Sequence, residues 1–186
     1  MSQQNKQLVF PVIILMVICF VTALALAFTN ELTKEPIATA IAEQELIAMQ
    51  EALPDATKFE TVTEHEMEFV KGLDETDEIV GYIFQNSHAG YGGDITVNLG
   101  VDTDGIITGV TPLELNETPG IGMQVGEPEF LEKFVGKQDN ISLVTSDPAE
   151  NEIEGIAGAT VSVEAFIKSV NDGLDDYKEI DLNNDE

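Results

Sequence analysis

The chain has 186 residues, with 35 Asp and Glu against eight basic residues, all of them Lys. This length allows one sizeable domain plus an appendage. A formal net charge of −27 at pH 7, with no Arg, argues against a nucleic-acid partner, which would require a basic surface. Cys19 is the only cysteine, so this chain alone builds neither a disulfide framework nor a thiolate metal cluster.

Residues 8–28 form an uncharged apolar run, LVFPVIILMVICFVTALALAF. As a helix this run reaches roughly 30 Å, so it predicts one transmembrane helix. The alternative is a cleaved signal peptide, because residues 23–27 contain small-x-small patterns, but the run exceeds the ~7–15 apolar residues typical of signal peptides. Lys6 and Lys34 flank the run, so the positive charges leave its orientation open and a cytoplasmic segment 1–7 is only the default.

The apolar spacing within residues 29–54 predicts a stalk helix that ends at Pro54. Its imperfect apolar stripe consists of Ile37, Ile41, Leu46, Ile47, Met49 and Leu53. The following region, from Glu64 to Asp77, is acidic and mixed, and it predicts an edge strand or a loop.

A period of two then replaces the helical pattern. Ile95, Val97, Leu99 and Val101 alternate with polar or small residues, as in a sheet with one buried face. Turn sequences at residues 90–93 (GYGG) and 102–105 (DTDG) bound these segments, which predicts an antiparallel meander of about three strands. A calcium loop is the alternative for DTDG, but the later liganding Glu is missing. His65 and His88 lack metal-ligand spacing, so no metal site is predicted.

Residues 116–122, NETPGIG, predict a loop before a short helix from Pro128 to Val135. Gly120 and Gly122 leave the backbone uncovered, and exposed amides can bind a flat heterocycle or an anion. A purely structural loop remains the alternative.

Residues 154–166, EGIAGATVSVEAF, place Thr160 at or near the start of an amphipathic helix. The apolar positions of this helix are Val163, Phe166, Ile167, Val170 and Leu174. The Thr160 hydroxyl has two plausible roles: an N-cap worth about 1 kcal/mol, or part of a phosphate site at the positive end of the helix. Gly158 and Ala159 would let a bulky group approach it.

Together, GYGG, NETPGIG and EGIAGATVS behind one N-terminal span resemble the FMN-binding domain of the G subunit of Rnf-type ferredoxin:NAD oxidoreductases. The family pattern is approximately D-x-I-S-G-A-T-x-T/S, and here Glu154 and Ala157 replace its Asp and Ser. Gly158, Ala159, Thr160 and Ser162 match it. The resemblance implies FMN joined through a phosphoester to Thr160 by a dedicated flavin transferase.

The resemblance also implies an α+β fold, with a single transmembrane helix followed by an FMN-binding domain, residues 55–177, whose largely antiparallel sheet is flanked by helices. It places the N-terminus in the cytoplasm and the domain on the outer face. The implied function is that of a membrane-anchored electron-transfer subunit of an ion-translocating complex, without catalytic residues of its own. Its partners would be the other membrane subunits, including the other flavin-carrying subunit.

With the phosphate held at Thr160, the flavin ring must lie over a neighbouring surface, and the 116–122 loop is the best candidate. We expect Glu117, Thr118, Gly120 and Ile121 to line the ring. Residues 178–186 are predicted to form an acidic mobile tail. Two alternatives remain: the related C subunit of sodium-pumping NADH:quinone reductase, and a non-catalytic extracellular binding module in which Thr160 is only a helix cap.

Overall fold

The computed structural model describes residues 3–64 and 67–184, so His65 lies outside the described residues. The chain divides after Gln44 into two compact units. The first helix, α1 (Gln3–Ala52), begins in the N-terminal unit and its last two turns belong to the second. Where the sequence predicts a span and a separate stalk, the structure has one uninterrupted helix, which ends just before Pro54 because proline cannot continue it.

The apolar part of α1 suits a lipid environment. Within the described residues, this is the one helix long and apolar enough to cross a membrane. Its large apolar side chains between Phe10 and Phe28 are all exposed, so the protein itself does not cover them. Exposed apolar surface of this extent is expected of a segment solvated by lipid rather than by water.

The second unit contains one antiparallel sheet in which each strand pairs with the next along the chain. Its strands are β1 (Lys58–Glu64), β2 (Met67–Leu73), β3 (Ile79–Ala89), β4 (Asp94–Asp102) and β5 (Ile107–Leu115). The meander is therefore confirmed, but it has five strands rather than about three. Of the two additional strands, β1 ends at Glu64 and is not predicted, whereas β2 lies in the mixed, acidic region where the sequence predicts an edge strand or a loop.

A long C-terminal helix covers one face of this sheet. The four alternating residues Ile95, Val97, Leu99 and Val101 are at most 1% exposed and share a core with helix α3 (Thr160–Asn184). Helix α3 continues beyond Tyr177, where the sequence predicts a mobile tail. Ile180 is still buried in the same core, so packing on the sheet extends the helix despite its many acidic residues.

Shorter elements connect β5 to α3. A 3-10 helix (Gly122–Gly126) leads into α2 (Pro128–Leu131), which is shorter than the predicted segment from Pro128 to Val135. Two short strands, β6 (Ser142–Val144) and β7 (Glu152–Glu154), then form a separate parallel pair. The predicted α+β architecture, with an apolar N-terminal helix and an antiparallel sheet flanked by helices, is confirmed.

The other face of the sheet receives the last turn of α1. Ala52 and Leu53 are fully buried there, and the carbonyl of Ala52 accepts a hydrogen bond of 2.7 Å from the Thr108 hydroxyl. Glycines make this close approach possible: a Cβ atom at Gly100 would overlap the Ala52 carbonyl, and one at Gly109 would lie 2.8 Å from the same oxygen. The end of α1 is thus seated directly on the strand backbones.

Replacing Gly100 with Ala should therefore destabilise this unit. The added methyl group meets backbone rather than a movable side chain, and overpacking of this kind costs on the order of 1–3 kcal/mol. Thermal unfolding of the full chain in detergent measures the effect. Gly155→Ala is the control, because its new Cβ meets the flexible end of Leu143 at 3.0 Å; equal stability of the two variants would contradict the close packing.

Candidate flavin site

The site begins with the turn that precedes α3. The Gly158 backbone has a positive φ of 84°, a conformation that glycine adopts without strain, and the Ala159 amide closes the turn by donating to the Ile156 carbonyl at 3.0 Å. The Ala159 carbonyl then accepts from the Val163 amide at 2.9 Å, the first hydrogen bond of the helix. Ala159 consequently occupies the N-cap position, and Thr160 is the first residue of the helix.

Thr160 presents its side chain to solvent. It is exposed, and its hydroxyl forms no hydrogen bond within the part of the chain that the structure describes. The amides of Thr160, Val161 and Ser162 belong to the first turn of α3, where intrahelical acceptors are missing. An uncommitted hydroxyl therefore lies beside amide donors and the positive end of the helix dipole, an arrangement that favours an anion.

Three segments that are far apart in sequence meet around Thr160. They enclose a groove of about 440 Å³, which we call the Thr160 groove. It is lined by Tyr91 from the GYGG turn, by Thr118, Ile121 and Gly122 from the 116–122 loop, and by residues 158–162 at the start of α3. A groove of this size falls in the range typical of small-molecule sites.

Most, but not all, of the predicted site residues line this groove. Thr118 and Ile121 do so together with the predicted group around Thr160. Glu117 and Gly120 are not among the lining residues. A Cβ atom at Gly120 would meet nothing within 4 Å, and its φ of 85° indicates that glycine is required there by the backbone conformation.

Glu117 belongs to the 116–122 loop, but its side chain turns into the protein and does not line the groove. Its side chain is only 8% exposed, and its carboxylate accepts hydrogen bonds from the Tyr91 amide at 2.7 Å and the Gly92 amide at 3.3 Å. Further donors are its neighbour Thr118, through the amide at 3.2 Å, and the side chain of Ser162. This residue contacts all three segments of the site.

These hydrogen bonds determine the charge of Glu117. Burial raises the pKa of its carboxyl group, but donation from the Tyr91 amide, the Ser162 side chain and the Thr118 and Gly92 amides outweighs burial. The net result is a pKa below the usual value of 4.5. The carboxylate is therefore ionised at neutral pH although it is largely shielded from water.

Two groove residues, Tyr91 and Val161, are not predicted from the sequence. Tyr91 is 74% exposed and Val161 is 50% exposed, as is Ile121 across the groove. By its own pattern the GYGG sequence predicts only a turn, and Val161 precedes the apolar stripe of the helix, which begins at Val163. The signal that could have found Val161 is an apolar residue in the first turn of a helix that lies off the buried face, since such a residue is left exposed.

The remaining candidate features have structural roles. The Gly105 amide donates to the Asp102 carbonyl at 3.2 Å, and the Asp102 carboxylate accepts from the Asp104 and Ile106 amides, so DTDG forms the predicted turn. His88 Nε2 lies 2.7 Å from Asp172 Oδ2 and ties β3 to α3. No cluster of metal-ligating side chains occurs among the described residues.

The groove has the chemical features that FMN requires. A phosphate fits the amide donors at the start of α3, and a flat ring fits the exposed apolar surface of Tyr91, Ile121 and Val161. Thr118 offers a polar group to the edge of such a ring. The described residues therefore satisfy both the anionic and the aromatic part of the cofactor.

Comparison with known proteins agrees with this geometry. Residues 90–175 match the FMN-binding domain family, a range that contains all three groove segments. The chain is 32% identical, over 90% of each chain, to the G subunit of the Na(+)-translocating ferredoxin:NAD(+) oxidoreductase complex of Acetobacterium woodii. It is 31% identical to the G subunit of an ion-translocating oxidoreductase complex of Methanosarcina acetivorans, over 92% of this chain and 95% of the relative.

A solved structure shares the fold. The crystal structure of Shewanella oneidensis NqrC superimposes with a TM-score of 0.51 at 21% identity, over 71% of this chain and 74% of NqrC. The domain match and the two relatives define the class, an FMN-binding subunit of ion-translocating oxidoreductase complexes. The chain belongs to the family of G subunits of ion-translocating oxidoreductase complexes, which confirms the resemblance seen in the sequence.

The ionised state of Glu117 predicts a pH dependence of stability. Its pKa is lower in the folded than in the unfolded chain, so its stabilising contribution is complete above about 4.5 and is lost as the pH falls through the folded pKa. The difference in melting temperature between wild type and Glu117→Gln should therefore be largest at neutral pH and shrink under acid conditions. Exposed Glu114, tested as Glu114→Gln, is the control; a pH-independent difference for Glu117→Gln would contradict the assignment.

Proposed function

We propose that this chain is the membrane-anchored, FMN-carrying electron-transfer subunit of an ion-translocating ferredoxin:NAD+ oxidoreductase complex, and that Thr160 Oγ is the attachment atom. The observation that carries the proposal is the exposed Thr160 hydroxyl, which has no partner among the described residues and faces a groove built by three predicted segments. FMN supplies the electron-accepting and electron-donating chemistry, and the protein supplies position and electrostatics.

Attachment requires that Thr160 be accessible. In the proposed step the hydroxyl oxygen forms a bond to the flavin-side phosphorus of a flavin dinucleotide, the P–O bond inside the donor's diphosphate breaks, and the nucleoside monophosphate leaves as the hydroxyl proton is removed. We assign proton removal to a dedicated flavin transferase, because the described groove residues include no general base. Gly158 and Ala159 keep bulky side chains away from the hydroxyl, so an enzyme can approach it from solvent.

The start of α3 is then the phosphate end of the site. With a net charge of −27 and no Arg, the chain has few cationic side chains to offer an anion. Backbone amides and the helix dipole supply the needed positive potential without a basic residue. With so few cationic side chains in the chain, the start of α3 is the candidate we assign to the phosphate.

The ring end of the site is the apolar wall of the Thr160 groove. Tyr91, Ile121 and Val161 offer contact area, and Thr118 offers a hydroxyl or an amide to the polar edge. The sequence predicts that Glu117 and Gly120 contact the ring, but we assign them other roles. The Glu117 carboxylate holds the Tyr91 amide, and Gly120 provides the positive φ that the loop requires.

We place the N-terminus in the cytoplasm and the domain on the outer face of the membrane. Covalent attachment supports this arrangement, because a dissociating flavin would be lost from an extracytoplasmic site. The partners are the other membrane subunits of the complex, including its other flavin-carrying subunit. The C-subunit alternative has less support, since both relatives described above are G subunits, whereas the likeness to NqrC concerns the fold.

Thr160→Ala should abolish covalent FMN while leaving the fold intact. Ala has a higher helix propensity than Thr and Thr160 is not the N-cap, so we expect stability to change by less than about 1 kcal/mol. Intact mass after co-expression with a flavin transferase measures attachment. Thr145→Ala is the matched control, because Thr145 is exposed but does not line the groove, so its removal should not affect the adduct. An FMN-sized adduct that persists on Thr160→Ala would refute the assignment.

Tyr91→Leu should change the optical properties of bound FMN. If the exposed phenol ring lies against the flavin, its removal should raise flavin fluorescence and shift the visible absorbance, because an adjacent aromatic ring quenches and perturbs the flavin. Tyr91→Phe keeps the aromatic surface and should resemble wild type more closely. Identical spectra for wild type and Tyr91→Leu would place the ring elsewhere.

A further inference from the structure

The Glu117 carboxylate links the segments that form the Thr160 groove. One oxygen, Oε1, accepts from the Tyr91 amide in the GYGG turn, and Oε2 accepts from the Gly92 amide in the same turn. The side chain of Ser162, in the first turn of α3, supplies another hydrogen bond. Ser162 is 1% exposed and Glu117 is 8% exposed, so water barely competes for these contacts.

Two neighbouring glycines make room for this carboxylate. A Cβ atom at Gly90 would overlap Oε1, and one at Gly122 would lie 2.5 Å from Oε2. The carboxylate is therefore enclosed by backbone from the GYGG turn on one side and from the 116–122 loop on the other. Side chains at these glycines would displace Glu117 and separate the segments.

We propose that Glu117 is a positioning residue that fixes the GYGG turn and the first turn of α3 relative to each other, so that Tyr91 and Thr160 face one groove. This role rests on the proposed FMN function and deepens it: Glu117 does not itself line the groove, but it holds Tyr91, Thr118 and Ser162, which do. This positioning role explains why Glu117 is buried although its neighbours in the loop, Asn116 and Thr118, are exposed.

The set of donors explains why this position needs a carboxylate. Three backbone N–H groups and one hydroxyl converge on Glu117, and an ionised carboxylate only accepts hydrogen bonds. A Gln side chain has nearly the same shape, but its NH₂ group would face an N–H donor and leave that amide unsatisfied. Hydrogen bonds to a charged acceptor are also stronger than those to a neutral one.

The test uses the full chain in detergent and two independent measurements. Glu117→Gln should accelerate hydrogen exchange at the Tyr91 and Gly92 amides by about tenfold or more, since each loses a charged acceptor. It should also slow FMN attachment at Thr160 by about tenfold or more, measured by intact mass over time with a flavin transferase. Glu114→Gln, on the exposed end of β5, should alter neither.

Ser162→Ala separates the two arms of the carboxylate. It removes the contact to α3 but keeps the contacts to the GYGG turn, so attachment should slow while exchange at Tyr91 and Gly92 stays close to wild type. Because the substitution is small, this variant also serves as the test if Glu117→Gln does not fold.

The other combinations of exchange and attachment results for Glu117→Gln contradict the positioning role. Faster exchange with unchanged attachment would reduce Glu117 to a structural role and overturn the proposal. Slower attachment with unchanged exchange would mean that the hydrogen bonds to the turn are unimportant, which also overturns it. If wild type gains no adduct, the proposed FMN attachment fails, and the exchange results alone decide whether Glu117 fixes the turn.

Discussion

The packing of helix α3 on the sheet is the interaction on which the site depends. Val163, Phe166 and Val170 of the helix are fully buried in the core that contains the inward face of β4. At Gly173 the helix approaches so closely that a Cβ atom would lie 2.8 Å from Leu99. This contact fixes the position of the whole helix, and with it the position of the turn that carries Thr160.

Polar contacts along the same interface set the direction of the helix. Asn86 donates to Asp176 at 2.9 Å, and the Tyr177 hydroxyl donates to the Thr103 carbonyl at 2.8 Å, beyond the end of β4. The start of α3 consequently lies at the opposite end of β4, where the GYGG turn joins β3 to β4 and where β5 ends. The meander and the helix thus bring the three segments of the site together.

The sequence contains the parts of this arrangement that have a regular period. The alternation from Ile95 to Val101 and the helical spacing after Thr160 each reflect a single buried face, which local patterns record directly. Strand β1 lacks this signal because all of its residues are exposed or half-buried at the sheet edge. Strand β2 lacks it because its burial does not alternate, and its last two residues are both buried. The helical segment after Tyr177 is not predicted because the burial of Ile180 depends on distant residues.

Among the groove residues too, some can be recognised from local sequence and others depend on contacts between distant segments. Thr160, Thr118 and Ile121 can be selected from their motifs, because a hydroxyl at a helix start and a glycine-rich loop have recognisable chemistry. Glu117 belongs to the same motif, but a loop sequence does not show which side chains turn inward. Its inward orientation depends on donors from residues 91, 92 and 162, and only the folded chain brings these together.

In the proposed assignment the Thr160 hydroxyl carries the cofactor at the mouth of this groove. The most direct measurement is peptide mapping by tandem mass spectrometry of the flavinylated protein, with fragment ions that separate Thr160 from Ser162 and from Thr118. We expect the full FMN mass on Thr160, with unmodified Ser162 and Thr118 recovered from the same sample. An FMN-bearing fragment that excludes Thr160 would contradict it.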